Sequence, residues 1–145
     1  MVRWLPVALL AAAAFGGYHL LLRFAAGRID QLLGAFVLQS VAAAAAAIAL
    51  VAWWATGATL TVTRAGLGYA ALAGLCVGVA EILAFVVFQR GAPVTVATPI
   101  IVGGTVSLAT LGGVVLLREP LSGAQWFGIG LVVVGIGLLS THSAS

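Results

Sequence analysis

Residues 32–54 read LLGAFVLQSVAAAAAAIALVAWW, a stretch that contains no charged side chain. A helix that crosses a bilayer needs about 20 consecutive apolar residues, so this stretch predicts a transmembrane helix. Four further stretches of the same kind follow or precede it. The predicted spans are residues 4–22, 32–54, 67–88, 93–117 and 124–140.

The composition places the whole chain in the membrane class. Hydrophobic residues make up 63% of the 145 residues and charged residues only 6%, whereas soluble domains carry about 25% charged residues. The loops between the spans are too short to hold another domain, which predicts an all-α integral membrane protein with one five-span domain over residues 1–145. We find no nucleotide-binding loop, zinc-ligand spacing or nucleophile elbow, so neither an enzyme nor a cofactor or metal site is expected.

The positive charge comes from six arginines, with no lysine. They are single and lie at the ends of apolar stretches, so they form no basic patch for nucleic acid and are typical of headgroup anchors. Five spans place the chain termini on opposite sides of the membrane. We call the N-terminal side A and the other side B. Side A receives Arg3, Arg64 and Arg118, and side B receives Arg23, Arg28 and Arg90.

This balance leaves the orientation open, because the positive-inside rule needs an excess of Arg and Lys on one side. Two interpretations stand. The balance arises by chance in a small protein, or Arg23 lies inside the membrane and should not be counted. Alternatively, the chain has dual topology and pairs with an inverted copy as an antiparallel homodimer.

Polar residues concentrate in the side B half of the predicted spans. Glu81 is the only acid well inside a span, about 11 Å from the side B end at about 1.5 Å per residue. Ionisable residues within spans are costly, about 2.5–3.5 kcal/mol near the centre, and are functional candidates for that reason. An alternative is a protonated Glu81 that only joins two helices by a hydrogen bond. The other candidates for substrate binding or coupling are Tyr18, His19, Gln39, Ser40 and Thr98.

Proline and glycine patterns add two expectations about the helices. Pro99, with Gly103 and Gly104 one turn later, predicts a distortion of the fourth span beside these polar groups, as at many transporter sites. A simple packing kink is equally compatible with them. The spacing of Gly66, Ala70, Gly74 and Gly78 predicts a smooth stripe for close helix packing on the third span.

The last third of the chain resembles a known family. GAPVTVATPIIVGG (91–104), LGGVVLLREPLS (111–122) and GIGLVVVGIGLLS (128–140) are similar to the EamA-like branch of the drug/metabolite transporter superfamily. In that family two five-span repeats of inverted orientation form a ten-span transporter. The resemblance implies that this chain is a single EamA-like repeat, and that an antiparallel homodimer would give a ten-helix bundle. The related small multidrug resistance proteins carry their essential acid in the first span, where this chain has none, so Glu81 does not inherit that role by position.

The resemblance implies a multi-pass transporter that exports small organic solutes by alternating access. The richness in Ala, Gly and Arg without Lys is typical of a GC-rich bacterial genome, so the bacterial inner membrane is the expected location. Glu81 would be the recognition or coupling residue, with a proton as a candidate coupling ion. Two alternatives remain: a flippase subunit for a lipid-linked sugar, and a structural or regulatory membrane subunit that does not transport.

Overall fold

The computed structural model describes residues 4–141 and contains, within them, five α-helices and no strand. All five helices are long and apolar enough to cross a membrane. The prediction of an all-helical, multi-pass membrane protein is thereby confirmed. The helices are α1 (Leu5–Ala25), α2 (Gln31–Ala55), α3 (Arg64–Gln89), α4 (Val94–Leu116) and α5 (Gly123–Thr141).

The chain divides into two compact units, which we describe separately. The first unit, Met1–Gly91, contains α1, α2 and α3. The second unit, Ala92–Ser145, contains α4 and α5. The expectation of one five-span domain stays a prediction.

Two helices extend three residues beyond one predicted end, and local capping and turn geometry explain why. α3 begins at Arg64 because the Thr63 hydroxyl accepts a hydrogen bond from the Gly66 backbone N–H at 3.1 Å and so caps the helix. α1 runs past the predicted end at residue 22 and stops at Ala25, just before Gly27 adopts a φ of 80°. Backbone capping and turn geometry therefore set these ends, rather than hydrophobicity.

In the three-helix unit, α1 and α2 both pack on α3. The buried residues all lie where α1 ends, α2 begins and α3 ends, a region that we call the packed end. Its members are His19, Leu22, Ala26, Gly34, Ala35, Ala84, Phe85 and Phe88.

The opposite half of the same unit has no buried residue, and we call it the open end. It comprises residues 4–17, 40–57 and 64–77, and every one of them is exposed. In a bilayer these apolar faces are available to lipid or to another protein chain.

A glycine allows the tight approach of α2 to α3 at the packed end. A Cβ atom at Gly34 would lie 2.6 Å from Cζ of the Phe85 ring and 3.1 Å from Cγ2 of Ile29. Phe85 is almost fully buried, so its ring has little freedom to move aside. Only glycine fits at position 34 without a shift of the neighbouring helix.

The two-helix unit has a contact of the same type. A Cβ atom at Gly103 on α4 would lie 2.7 Å from Cδ1 of Ile136 and 3.2 Å from Cγ1 of Val132, both on α5. α4 then ends in a turn in which Arg118 takes a positive φ of 56°.

Candidate functional site

The centre of the site is a hydrogen bond between two helices. The Tyr18 hydroxyl on α1 donates to Oε2 of Glu81 on α3. Both residues are half-buried. The only acid within a described helix is thus held by a phenol from the neighbouring helix.

Helix lengths explain why these two side chains meet. Tyr18 lies seven residues before the end of α1 at Ala25, and Glu81 lies eight residues before the end of α3 at Gln89. Sequence reasoning ended the first span at residue 22 and therefore placed Tyr18 closer to the membrane surface than Glu81. With the observed helix ends, the two residues lie at nearly the same distance from the ends of α1 and α3, and Glu81 has a phenol as its neighbour.

His19 and Phe15 surround Tyr18 on its own helix. The rings of Tyr18 and His19 lie edge to face with centroids 4.7 Å apart, and those of Tyr18 and Phe15 lie 6.3 Å apart. His19 is buried, and its Nδ1 is 2.8 Å from the Phe15 carbonyl oxygen. Because a carbonyl only accepts, Nδ1 carries the hydrogen in this contact. These contacts restrict the position of the Tyr18 ring.

Gln39 approaches the same face of α3 from α2. Its Nε2 would be 3.6 Å from a Cβ atom at Gly78, the residue one turn before Glu81. Gln39 is half-buried, whereas the neighbouring Ser40 is exposed. The unit therefore brings Tyr18, Glu81 and Gln39 to one level of α3, and Ser40 lies outside this group.

Thr98 belongs to the two-helix unit. Its hydroxyl oxygen is buried and has no hydrogen-bond partner among residues 4–141. Pro99 follows it inside α4, and it has no N–H to donate to the carbonyl one turn earlier. This turn therefore contains a buried hydroxyl without a partner among residues 4–141, beside a proline that donates no backbone hydrogen bond.

α4 is nevertheless one continuous helix through Pro99. Gly103 packs closely on α5, while no atom lies within 4 Å of a Cβ atom placed at Gly104. A distortion at these positions stays a prediction, and the structure gives Gly103 a packing role that the sequence pattern did not indicate.

Sequence reasoning missed a pair of hydrogen bonds at the packed end. Arg23 Nη1 donates to the Phe88 carbonyl at 3.4 Å, and Gln89 Nε2 donates to the Ile29 carbonyl at 3.0 Å. We call these two bonds the clasp. In the sequence, the only indication of these bonds is that both donors are polar residues at the end of an apolar helix. Their carbonyl acceptors carry no sequence signal, because every residue has one.

No protein-family model, curated protein or solved structure matches this chain.

Proposed function

We propose that this chain is a membrane transporter that exports small organic solutes by alternating access, with Glu81 as the residue that recognises the solute or couples its movement to a proton. One observation carries the proposal. An acid that lies within an apolar helix accepts a hydrogen bond from Tyr18 on a neighbouring helix. The resemblance of residues 91–140 to EamA-like transporters supports the same assignment.

The chemistry of this pair suits a reversible binding step. A carboxylate within the membrane needs a donor or a counter-ion, because unsatisfied charge is costly there. The Tyr18 hydroxyl supplies one donor. An N–H group of a solute, or a proton, can take its place without leaving the carboxylate unsatisfied. Exchange of the phenol for a solute would then link binding at Glu81 to the position of α1 relative to α3.

Reconstituted protein tests this role with a substitution at Glu81. Three probe classes, tetraphenylphosphonium, a mixture of amino acids and a neutral sugar, are offered to proteoliposomes under a pH gradient. We expect the wild type to move at least one class, and Glu81→Gln to abolish the dependence on the pH gradient. The control is Glu119→Gln, since Glu119 is an exposed acid outside the helices, and it should behave like the wild type.

Unchanged pH-driven transport in Glu81→Gln would show that Glu81 has no coupling role. Transport of none of the three classes would favour a membrane subunit that does not transport.

We further propose that the working form is an antiparallel homodimer with dual topology in the bacterial inner membrane. Three features support it: an odd number of predicted spans, three arginines on each side, and an open end whose apolar residues are all exposed. A second, inverted copy would supply the other half of a ten-helix transporter. Each leaflet would then contain the packed end of one copy and the open end of the other.

Reporter fusions test the topology. As fusions to a membrane protein, alkaline phosphatase is active only on the outer side of the membrane, and green fluorescent protein is fluorescent only on the cytoplasmic side. Fused to the C-terminus, both should give signal if the chain inserts in both orientations. A signal from only one reporter would contradict dual topology and would favour pairing with a different chain.

A further inference from the structure

The clasp brings distant parts of the three-helix unit to one place. Gln89 of α3 binds the Ile29 carbonyl in the loop between α1 and α2, and Arg23 of α1 binds the Phe88 carbonyl in the last turn of α3. The loop and the end of α3 are therefore neighbours, although about 60 residues separate them in sequence. The arginines that belong to the clasp or adjoin it in sequence therefore lie at the same end of the unit.

Three arginines lie at this end, and we call them the arginine rim: Arg23, Arg28 and Arg90. Arg28 directly precedes Ile29, and Arg90 directly follows Gln89, so both flank the same hydrogen bond. Both are exposed. Arg23 is half-buried and already bound to α3.

Most of the N–H donors of the arginine rim are not used in the hydrogen bonds of this end of the unit. A guanidinium group has five N–H donors. Arg23 uses Nη1 for the Phe88 carbonyl, and Arg28 uses Nη1 for the Phe24 carbonyl at 2.9 Å. The remaining donors can bind an anion.

The one acid beside the arginine rim, Asp30, caps a helix. Asp30 Oδ1 accepts from the backbone N–H groups of Leu32 and Leu33, at 2.9 and 3.3 Å, and so caps α2. Three arginines are therefore accompanied by a single carboxylate, one oxygen of which caps α2. The local charge is positive at the level where the apolar helices end.

We propose that the arginine rim binds the phosphate of an anionic phospholipid headgroup. Arginine is suited to this because its planar fork binds phosphate oxygens in a bidentate manner, and basic groups at the ends of transmembrane helices attract anionic lipids. Exposed apolar side chains of Leu20, Leu21 and Phe24 lie on α1 on either side of Arg23 in the sequence. They provide a surface for the acyl chains, which a free phosphate ion would not need. The inference does not depend on the proposed transport.

Native mass spectrometry of the purified full chain tests the proposal, with phosphatidylglycerol as the anionic lipid and phosphatidylcholine as the zwitterionic one. The test variant is Arg28→Gln with Arg90→Gln, which leaves Arg23 and the clasp intact. The control is Arg64→Gln with Arg118→Gln, which removes two exposed arginines outside the rim. Both variants lose the same net charge.

We expect the rim variant to bind phosphatidylglycerol roughly tenfold more weakly than the wild type, and the control variant to stay within about twofold of it. Phosphatidylcholine should bind weakly to all three proteins. Equal weakening in both variants would overturn the proposal in favour of a general charge effect. Displacement of phosphatidylglycerol by inorganic phosphate at equal concentration would overturn it in favour of a free-phosphate site.

A second variant covers the case in which the glutamine variant does not fold. Arg28→Lys with Arg90→Lys keeps the charge but loses the bidentate geometry, because an ammonium group is a point charge. It should bind phosphatidylglycerol several-fold more weakly than the wild type. Wild-type affinity in the lysine variant would contradict bidentate recognition by the rim.

Discussion

The packed and open ends of the three-helix unit are both built from largely apolar helices but have very different structures. At the packed end, Phe88 is fully buried and Phe85 is 2% exposed, whereas at the open end Trp54 is 68% exposed and Leu75 69%. Both ends are apolar, so hydrophobicity does not explain the difference. In lipid it provides no drive for helices to associate, and close packing and hydrogen bonds decide instead.

The packed end contains both of these features. Gly34 lets α2 approach Phe85 closely, and the clasp joins α1 and its loop to α3. The Tyr18–Glu81 hydrogen bond lies deeper along the same α1–α3 contact. The candidate site is therefore built on the closely packed part of the unit, and the open end is left for lipid or a partner.

The largest expected contrast between the two ends comes from truncation of a large apolar side chain. Phe88→Ala removes a side chain that is 0% exposed, and it should lower the free energy of unfolding by about 3–5 kcal/mol. Leu75→Ala, at an open-end residue that is 69% exposed on α3, should cost less than about 1 kcal/mol. Unfolding in mixed detergent micelles, followed by circular dichroism, measures both. Similar losses would mean that Phe88 does not have the packing described above.

A glycine substitution at the packed end should have an intermediate effect on the free energy of unfolding. Gly34→Val places a side chain against the Phe85 ring and should destabilise the unit by about 1–3 kcal/mol. Gly74→Val on α3 is the control, because no atom lies within 4 Å of a Cβ atom placed there. The same unfolding titration applies. If both variants were neutral, α2 and α3 would not be in close contact at Gly34.

The smallest effect is expected at the inter-helix hydrogen bond. Tyr18→Phe removes the donor to Glu81 and should cost about 0.6 kcal/mol, the average for such bonds in membrane proteins. Tyr69→Phe is the matched control, since Tyr69 is the other tyrosine and is 75% exposed. Equal stability of the two variants would argue that the Tyr18 hydroxyl does not bind Glu81 in the folded protein.

The helices themselves were largely predictable from the sequence. Each apolar stretch is long enough to span a bilayer, and each corresponds to one α-helix of the structure. The helix ends were less predictable, because Thr63 and Gly27 set them through capping and backbone conformation. Sequence patterns of hydrophobicity do not report on either feature.

The glycine patterns were a poorer guide to helix contacts. Within the regular stripe on α3, Gly74 has no atom within 4 Å of a Cβ placed there, and Gly78 meets only the amide of Gln39. The close approaches lie instead at Gly34 and Gly103. A single glycine at a helix crossing has no spacing to reveal it, so its role depends on which residue the neighbouring helix presents.

The candidate site was predictable in composition but not in pairing. Glu81, Tyr18 and Gln39 were selected as polar groups within apolar stretches, and the structure brings them to one level of α3. The pairing of the phenol with the carboxylate did not follow from the predicted spans, because α1 extends three residues beyond the predicted end at residue 22. An error of one helical turn in a helix end changes which side chains can meet.

The clasp has a consequence for how this unit can vary among related sequences. Both of its acceptors are main-chain carbonyls, at Ile29 and Phe88. A change of side chain at an acceptor position leaves the carbonyl in place, so no compensating change is needed at Arg23 or Gln89. Covariation between aligned positions would therefore not detect these two bonds. The donors should instead be retained on their own, while residue 29 varies freely among apolar types.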